Sequence, residues 1–479
     1  MATRRSTGDP AIADAPGAIH PQTHIDRLAV IARLVGAAPA SVRGSRVLDL
    51  ACADGTNLAS MACSYPGSEF LGLAPTAALR QRARETSAAL GLKNITFLDG
   101  GLDRCAPALR EYDYILAHGL YARAGPEDRA LVLELCHRHL APRGVALITY
   151  RVLPGFRARA ELRDALRLHT RDDDPELRIV RARALARFLA EYAAPPLRRY
   201  AQALADGDDD DGAPEQHACY FSDFVAAAAT HGLQYLADAD YGAMLPRELP
   251  PPARARLEAL CDGPIEREQC LDFLRQRSDR SSLLCRRELA LSREPASVLS
   301  ALDGLLAAAR PQASTPDAAA STSRRDAWIE AALVELRESW PRARPIVDVG
   351  SAVVTRLGLP PPDAAALRST LTSALVELYR RDVVELRTFQ AALVRAPGRR
   401  PVASTFARHQ AARGGVLCTH HHTILTVQTD DARALISLLD GTRTRAALVD
   451  ELSARALAER WTIAGERPPA RRTIAARVD

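Results

Sequence analysis

Residues 47–57 read VLDLACADGTN: an apolar, strand-like run that passes through small residues, Ala51 and Ala53, to Gly55 and then into helix-forming sequence. Small residues at such a turn let the backbone come close to a ligand, and the helix beginning behind it presents free N–H groups. Asp49, at the strand's end, is placed to meet an ammonium group. The combination suits a nucleotide-type ligand. A lone turn of this kind is also found in dinucleotide folds, and a purely structural turn is the alternative. What favours the ligand reading is position, since the turn follows the first of five regularly spaced strands.

The surrounding text supplies the elements that must hold such a turn. RVLDLA, EFLGLA, ITFLDG, YDYILAHG and GVALITY are short apolar runs separated by helical stretches, which predicts an α/β fold with a doubly wound, mostly parallel sheet. The reading gives an N-terminal arm and helix over 1–40, a sheet-forming core over 41–156 and a helical insertion over 157–216 that ends in the solvated acidic run Asp208 to Asp211. Residues 217–300 return to strand and helix, and their two late strands are expected to close the same sheet. An Ala/Ser/Thr/Pro linker follows at 309–325. Beyond it a winged-helix-like α+β unit spans 326–460, and a frayed tail covers 461–479.

Composition narrows the function classes. The chain has 479 residues, 47% hydrophobic and 25% charged, as in globular proteins of about three domains. No apolar run approaches the ~20 residues of a membrane span. The start carries arginines without an apolar stretch, so a cytoplasmic location is expected. Nine scattered cysteines without a C-x-x-C pair suit reduced thiols better than disulfides or zinc. Lys93 is the single lysine, and a net charge of +5 spread over an arginine-rich chain does not argue for nucleic acid. In Cys418-Thr419-His420-His421-His422, alternation would put only His420 and His422 on one strand face. That is too few ligands for closed zinc, so a surface strand and no metal are expected. His24 suits either the mouth of a site or a packing role.

The segments PQTHIDRLA, VLDLACADGTNL, PGSEFLGL, LGLKNITF, YDYILAHGLY, LAPRGVALITY and LPGF stand in the order and at the spacing of bacterial class I methyltransferases with a methyltransferase regulatory domain, which the chain resembles. FSDFVAAAATHGLQYLADAD and LDFLRQR…LLCRRE look like the regulatory domain itself. RPVASTFARHQAARG…LISLLDGTRTRAALVDEL is similar to the C-terminal domain of rickettsial-type outer-membrane-protein lysine methyltransferases. The resemblance implies a Rossmann-like sheet, S-adenosylmethionine as cofactor, and methyl transfer to a nucleophile such as a protein lysine amine. It implies a protein substrate or partner and leaves a homodimer open; the charge pattern and the lack of a long apolar run give the expectation of no nucleic acid and no membrane insertion. By position, Asp49, Ala51, Ala53 and Gly55 would form the loop at the methionine end, with Ala74 and Gly119 beside the cofactor. His118, Tyr121 and Tyr150 would line the approach of the acceptor.

Several positions depart from the family pattern. Ala74 stands where an acidic residue would hold the ribose hydroxyls, and Gly101 where an aspartate would approach the adenine. Ala122-Arg123 replaces Ser-Trp, and Tyr150-Arg151-Val152-Leu153 replaces an aromatic/asparagine run. A lost charge-assisted hydrogen bond is worth roughly 1.5–3 kcal/mol, or about one to two decades of affinity. The departures imply a partly degraded cofactor site, with an inactive scaffold or regulatory partner as the alternative.

Overall fold

The structure, a computed structural model, describes residues 17–170, 174–206, 217–291, 302, 304–311, 324–414, 416–459, 461 and 469–478. The acidic run Asp208–Asp211 and most of the expected linker lie outside the described residues. Eight strands form the main sheet: β1 Arg46–Asp49, β2 Glu69–Ala74, β3 Ile95–Asp99, β4 Tyr112–Ala117, β5 Leu140–Val152, β6 Ala218–Cys219, β7 Leu233–Asp238 and β8 Asp279–Arg286. Their order is 3-2-1-4-5-8-7, with β6 beside the end of β5. The first five strands run parallel, whereas β8 is antiparallel to both β5 and β7. The two late strands therefore close the sheet that the first five begin.

Strand side chains alternate between faces, and the two cores follow that alternation. Val47, Phe70, Phe97, Tyr114, Leu116 and Leu147 belong to one apolar cluster. Leu48, Leu73, Ile115, Ala146, Ile148 and Tyr150 belong to the other. Both faces are covered, as parallel strands require. On the first face lies helix α1 (Ile25–Leu34), which is apolar nearly all round and buried along most of its length. Its Asp26 Oδ1 accepts the Thr388 N–H at 2.9 Å, and Arg27 Nε donates to the Ala239 carbonyl at 2.9 Å. Helix α1 is thus held from the sheet side and from a segment about 360 residues later.

Beyond the sheet the chain forms three further units. Helices Phe156–His169, Pro175–Tyr192 and Pro195–Asp206 pack on one another around a small core of Leu162, Leu166, Ala186, Ala201 and Leu204. Strands β9 (Leu306–Ala309), β10 (Arg344–Pro345) and β11 (Val384–Arg387) then form an antiparallel sheet against helices Arg324–Ser339, Ile346–Leu357 and Pro361–Arg380. Ala309 closes a buried strand and so is not linker; the run LAAA has weak strand preference and becomes a strand through its partners β10 and β11. A separate unit follows, with the hairpin β12 (Leu417–Cys418) and β13 (Ile424–Leu425) and helices Thr405–Arg413, Asp430–Leu438, Arg445–Ala458 and Arg471–Val478. The single C-terminal unit expected at 326–460 is therefore two units. The expected frayed tail includes a packed helix, because Ile474 is buried against Leu448, Leu452 and Ala456.

Candidate active site

The VLDLACADGTN segment folds as β1, a tight turn and helix α2 (Thr56–Ser64). Gly55 caps the helix in the left-handed region at φ +75°, and Ala53 also has positive φ, +49°. Leu50 N–H donates to the Leu116 carbonyl at 2.8 Å and Cys52 N–H to the Leu73 carbonyl at 3.1 Å, tying the turn to β4 and β2. Asp49 Oδ1 accepts the Ala51 N–H at 3.0 Å. Asp54 Oδ1 accepts the Thr56 N–H at 3.1 Å, satisfying one free donor at the start of α2. Gly55 and Gly72 are explained by packing. A Cβ on Gly55 would lie 2.7 Å from Ala83 Cβ, and one on Gly72 would lie 2.6 Å from Cys52 Sγ.

A small cavity opens at the C-terminal ends of β1 and β4, lined by Asp49, Ala51, Ala53, Asp54, Asn57 and His118, with Ala18 and His20 across it. Its volume is about 10 Å³, room for about one water. Four residues expected at the site, Asp49, Ala51, Ala53 and His118, are brought together there. Gly119 follows at φ +67° and its N–H donates to Thr149 Oγ1 at 2.7 Å. Ala74 is fully buried at the end of β2 and does not line the cavity. Tyr121 and Tyr150 belong to the core on the opposite sheet face. Tyr150 stacks on Phe224 at 4.0 Å and its hydroxyl pairs with Ser282 Oγ at 2.9 Å. Tyr121 sits edge-on to Phe224 under the Arg129 guanidinium, and burial pushes its hydroxyl up to about 12.

Sequence reasoning missed the segment that faces the loop. Residues 17–24 cross the cavity as a strap. Gly17 N–H donates to Asp54 Oδ2 at 2.8 Å and His20 N–H to Asn57 Oδ1 at 2.9 Å. The His20 ring stacks on His118 at 3.8 Å, and Gln22 Nε2 lies 2.9 Å from His118 Nε2. The PQTH motif marked the neighbourhood, but neither His20 nor Asn57 stood out. His24 takes the packing role: it is buried, 3.0 Å from the Tyr65 hydroxyl and stacked on His422.

The histidine run near residue 420 is not a surface strand. The strand ends at Cys418, and His420–His422 form a turn in which His422 adopts φ +56° and is 1% exposed. Turn closure between Thr419 and Thr423, rather than strand alternation, sets which way His422 points.

Burial keeps these imidazoles neutral. His24 is lowered from 6.5 to about 3, first by burial and then by nearby positive groups including Arg387; His422 is lowered well below the usual range by burial. An unfolded histidine takes up a proton below its ordinary value and these folded ones do not. Each therefore lowers stability as pH falls from about 6.5, with a limiting slope of about 1.4 kcal/mol per pH unit. Asp26, raised to about 6 by burial, acts in the opposite direction between that value and its ordinary 3.8. The expected net result is a urea-unfolding midpoint that falls between pH 7 and pH 5. His422→Leu is expected to flatten that slope.

Comparison with known proteins places these elements. Residues 47–144 match the methyltransferase domain profile, residues 213–286 one described as a predicted methyltransferase regulatory domain, and residues 399–478 the PKMT C-terminal winged helix domain. The chain is thus a protein with a class I methyltransferase fold that also carries a methyltransferase regulatory domain and a PKMT-type winged helix domain. Its fold is similar over nearly the whole chain to that of PKMT2 from Rickettsia typhi. A TM-score of 0.84 relates the two, with 97% of this chain and 96% of that one covered at 20% identity. A second structure of that protein, in complex with AdoHcy, matches equally well at 21% identity. Among curated relatives, an uncharacterized Rickettsia prowazekii protein is 32% identical over 279 residues, or 56% of this chain and 50% of that protein. A second one is 28% identical over 148 residues, or 31% of this chain and 59% of that protein. The chain therefore spans about half the length of the curated relatives it matches. Among the described residues no helix is long and apolar enough to cross a membrane.

Proposed function

We propose that the chain is an S-adenosylmethionine-dependent methyltransferase acting on a protein side chain of the lysine type. The observation that carries this reading is Asp49 at the end of β1, facing His118 across the turn that opens α2. The donor chemistry fits the cofactor. The Asp49 carboxylate suits an ammonium, the first turn of α2 suits a carboxylate, and the turn is built of small residues. The AdoHcy complex of the R. typhi relative supports the same choice. When bound, S-adenosylmethionine supplies a methyl group on a sulfonium, open to attack by a neutral amine. The protein's own share is positional. Asp49 would hold the amino-acid end, the small side chains of Ala51 and Ala53 keep bulk off the turn that it would cross, and His118 would border the acceptor side once the 17–24 strap gives way. His118 borders the acceptor's path, while Tyr121 and Tyr150 buttress the sheet behind it. The winged helix domain supports a protein acceptor.

Titration with S-adenosylhomocysteine tests this reading. Micromolar binding is expected in the wild-type protein, weakened about ten- to hundredfold by Asp49→Ala through loss of one charge-assisted hydrogen bond. Absence of heat at millimolar ligand would refute it. That result would leave the second reading, a methyltransferase-fold scaffold or regulatory partner, which Ala74 in place of a ribose-holding carboxylate favours.

A further inference from the structure

His422 comes from the winged helix domain, yet its side chain ends on α2. Its Nε2 lies 2.8 Å from Asn57 Oδ1 and its Nδ1 lies 3.1 Å from Ser60 Oγ. The direction of these bonds follows from a third. Asn57 Oδ1 also receives the His20 backbone N–H, which can only donate, so that oxygen is an acceptor. Asn57 Nδ2 accordingly donates to Thr23 Oγ1 at 3.0 Å, and Thr23 passes its own proton to the His20 carbonyl at 2.7 Å. His422 must then carry its proton on Nε2 and accept from Ser60 on Nδ1. One amide side chain thus joins the strap, the helix behind the cofactor turn, and the winged helix domain.

The same three pieces also share apolar contacts. Ile19 of the strap and Ala59 of α2 are buried in one cluster with Phe406 and Cys418 of the winged helix domain. Cys418 Sγ lies 3.1 Å from Ser60 Oγ. On its other side the strap reaches the cavity through Gly17, held by Asp54, and His20, stacked on His118. With the strap in this place the cavity is close to the volume of one water.

We infer that His422 is a positioning residue of the site: through Asn57 the winged helix domain holds the 17–24 strap against the turn and His118, and so sets access to the cavity. A protein segment that seats on the winged helix domain and draws its hairpin from α2 would free the strap. The consequence for methyl transfer rests on the function proposed above; the latch itself does not.

Amide hydrogen exchange on the full chain tests it. In His422→Leu, which keeps bulk but loses the donor, exchange across residues 17–24 is expected to quicken at least tenfold, while β4 and β5 keep their protection. His422→Gln, which offers an N–H at similar reach, is expected to restore slow exchange. Gln276 already adopts φ +50° in this chain, so glutamine is compatible with the turn. His422→Asn, suited to left-handed backbone but too short to reach Asn57, is expected to behave like the leucine variant. Should the leucine variant lose protection in β4 and β5 as well, the asparagine variant decides. Unchanged protection of 17–24 in a folded leucine or asparagine variant overturns the inference. Stopped-flow binding of S-adenosylhomocysteine is a separate readout, with faster association expected in His422→Leu. Failure of that ligand to bind any variant would count against the proposed cofactor and leave the exchange result standing.

Discussion

Arg280→Met is expected to lower stability by about 3–5 kcal/mol, because it strands buried carboxylates that the guanidinium now neutralises. Arg280, on β8, is 2% exposed. Its Nη2 donates to Glu268 Oε2 at 3.0 Å and Asp272 Oδ1 at 2.8 Å, and its Nη1 to Asp238 Oδ2 at 3.3 Å. The face of the guanidinium lies over the Phe221 ring, 4.0 Å from its centre. Arg277 contributes longer contacts to Asp238 and Asp272, at 3.5 Å each. Burial already raises Asp238 and Glu268 above the usual carboxylate range. Removing Arg280 raises them further, so the variant's deficit should be largest near neutral pH and shrink on acidification as these groups take up protons. Urea titrations at pH 7.5 and pH 5 check both parts; a deficit that grew on acidification would contradict the account. The network matters for the site because β8 lies directly against β5, with Arg280 opposite Tyr150.

Gly55→Val is expected to cost roughly 4 kcal/mol, combining left-handed strain of about 1–3 kcal/mol with overpacking of about 1–3 kcal/mol. The valine Cβ would meet Ala83 Cβ at 2.7 Å and the Phe97 ring at 2.8 Å, and both neighbours are buried in the core. Because this residue opens α2, binding of S-adenosylhomocysteine should be lost together with stability. Gly350→Ala provides the opposite sign. It lies in the helix Ile346–Leu357 with nothing within 4 Å of the new methyl, and should stabilise by about 0.5–1 kcal/mol. Differential scanning of the two variants beside the wild type separates the effects.

The turn at 47–57 was legible because three local signals coincide there: a short apolar run, small residues and the start of helix-forming sequence. The sheet was legible for a related reason, since each strand's alternation sorts its side chains onto faces. Which of the expected site residues reach the cavity was not. Tyr150 follows Ala146 and Ile148 onto the far face, whereas the family resemblance implies a place beside the acceptor's approach. Asn57 looked like an ordinary residue of a first helical turn. Its partners, Thr23 and His422, lie 34 and 365 positions away, and no local pattern encodes such a meeting. The same limit explains the C-terminal half. Two units with similar helical spacing stand in succession, and only their separate cores divide them.

The position of α1 bears on how the chain is made. Asp26 leaves the ribosome well before Thr388, whose backbone N–H it accepts. The helix carrying it is apolar nearly all round, so until β11 has been synthesised one of its flanks has no native cover. The N-terminal sheet is in a similar state, since β5 waits for β8 while the whole helical insertion is translated. Vectorial synthesis therefore leaves a long interval in which an apolar helix and an open strand edge are exposed together, the condition under which nascent chains depend on chaperones.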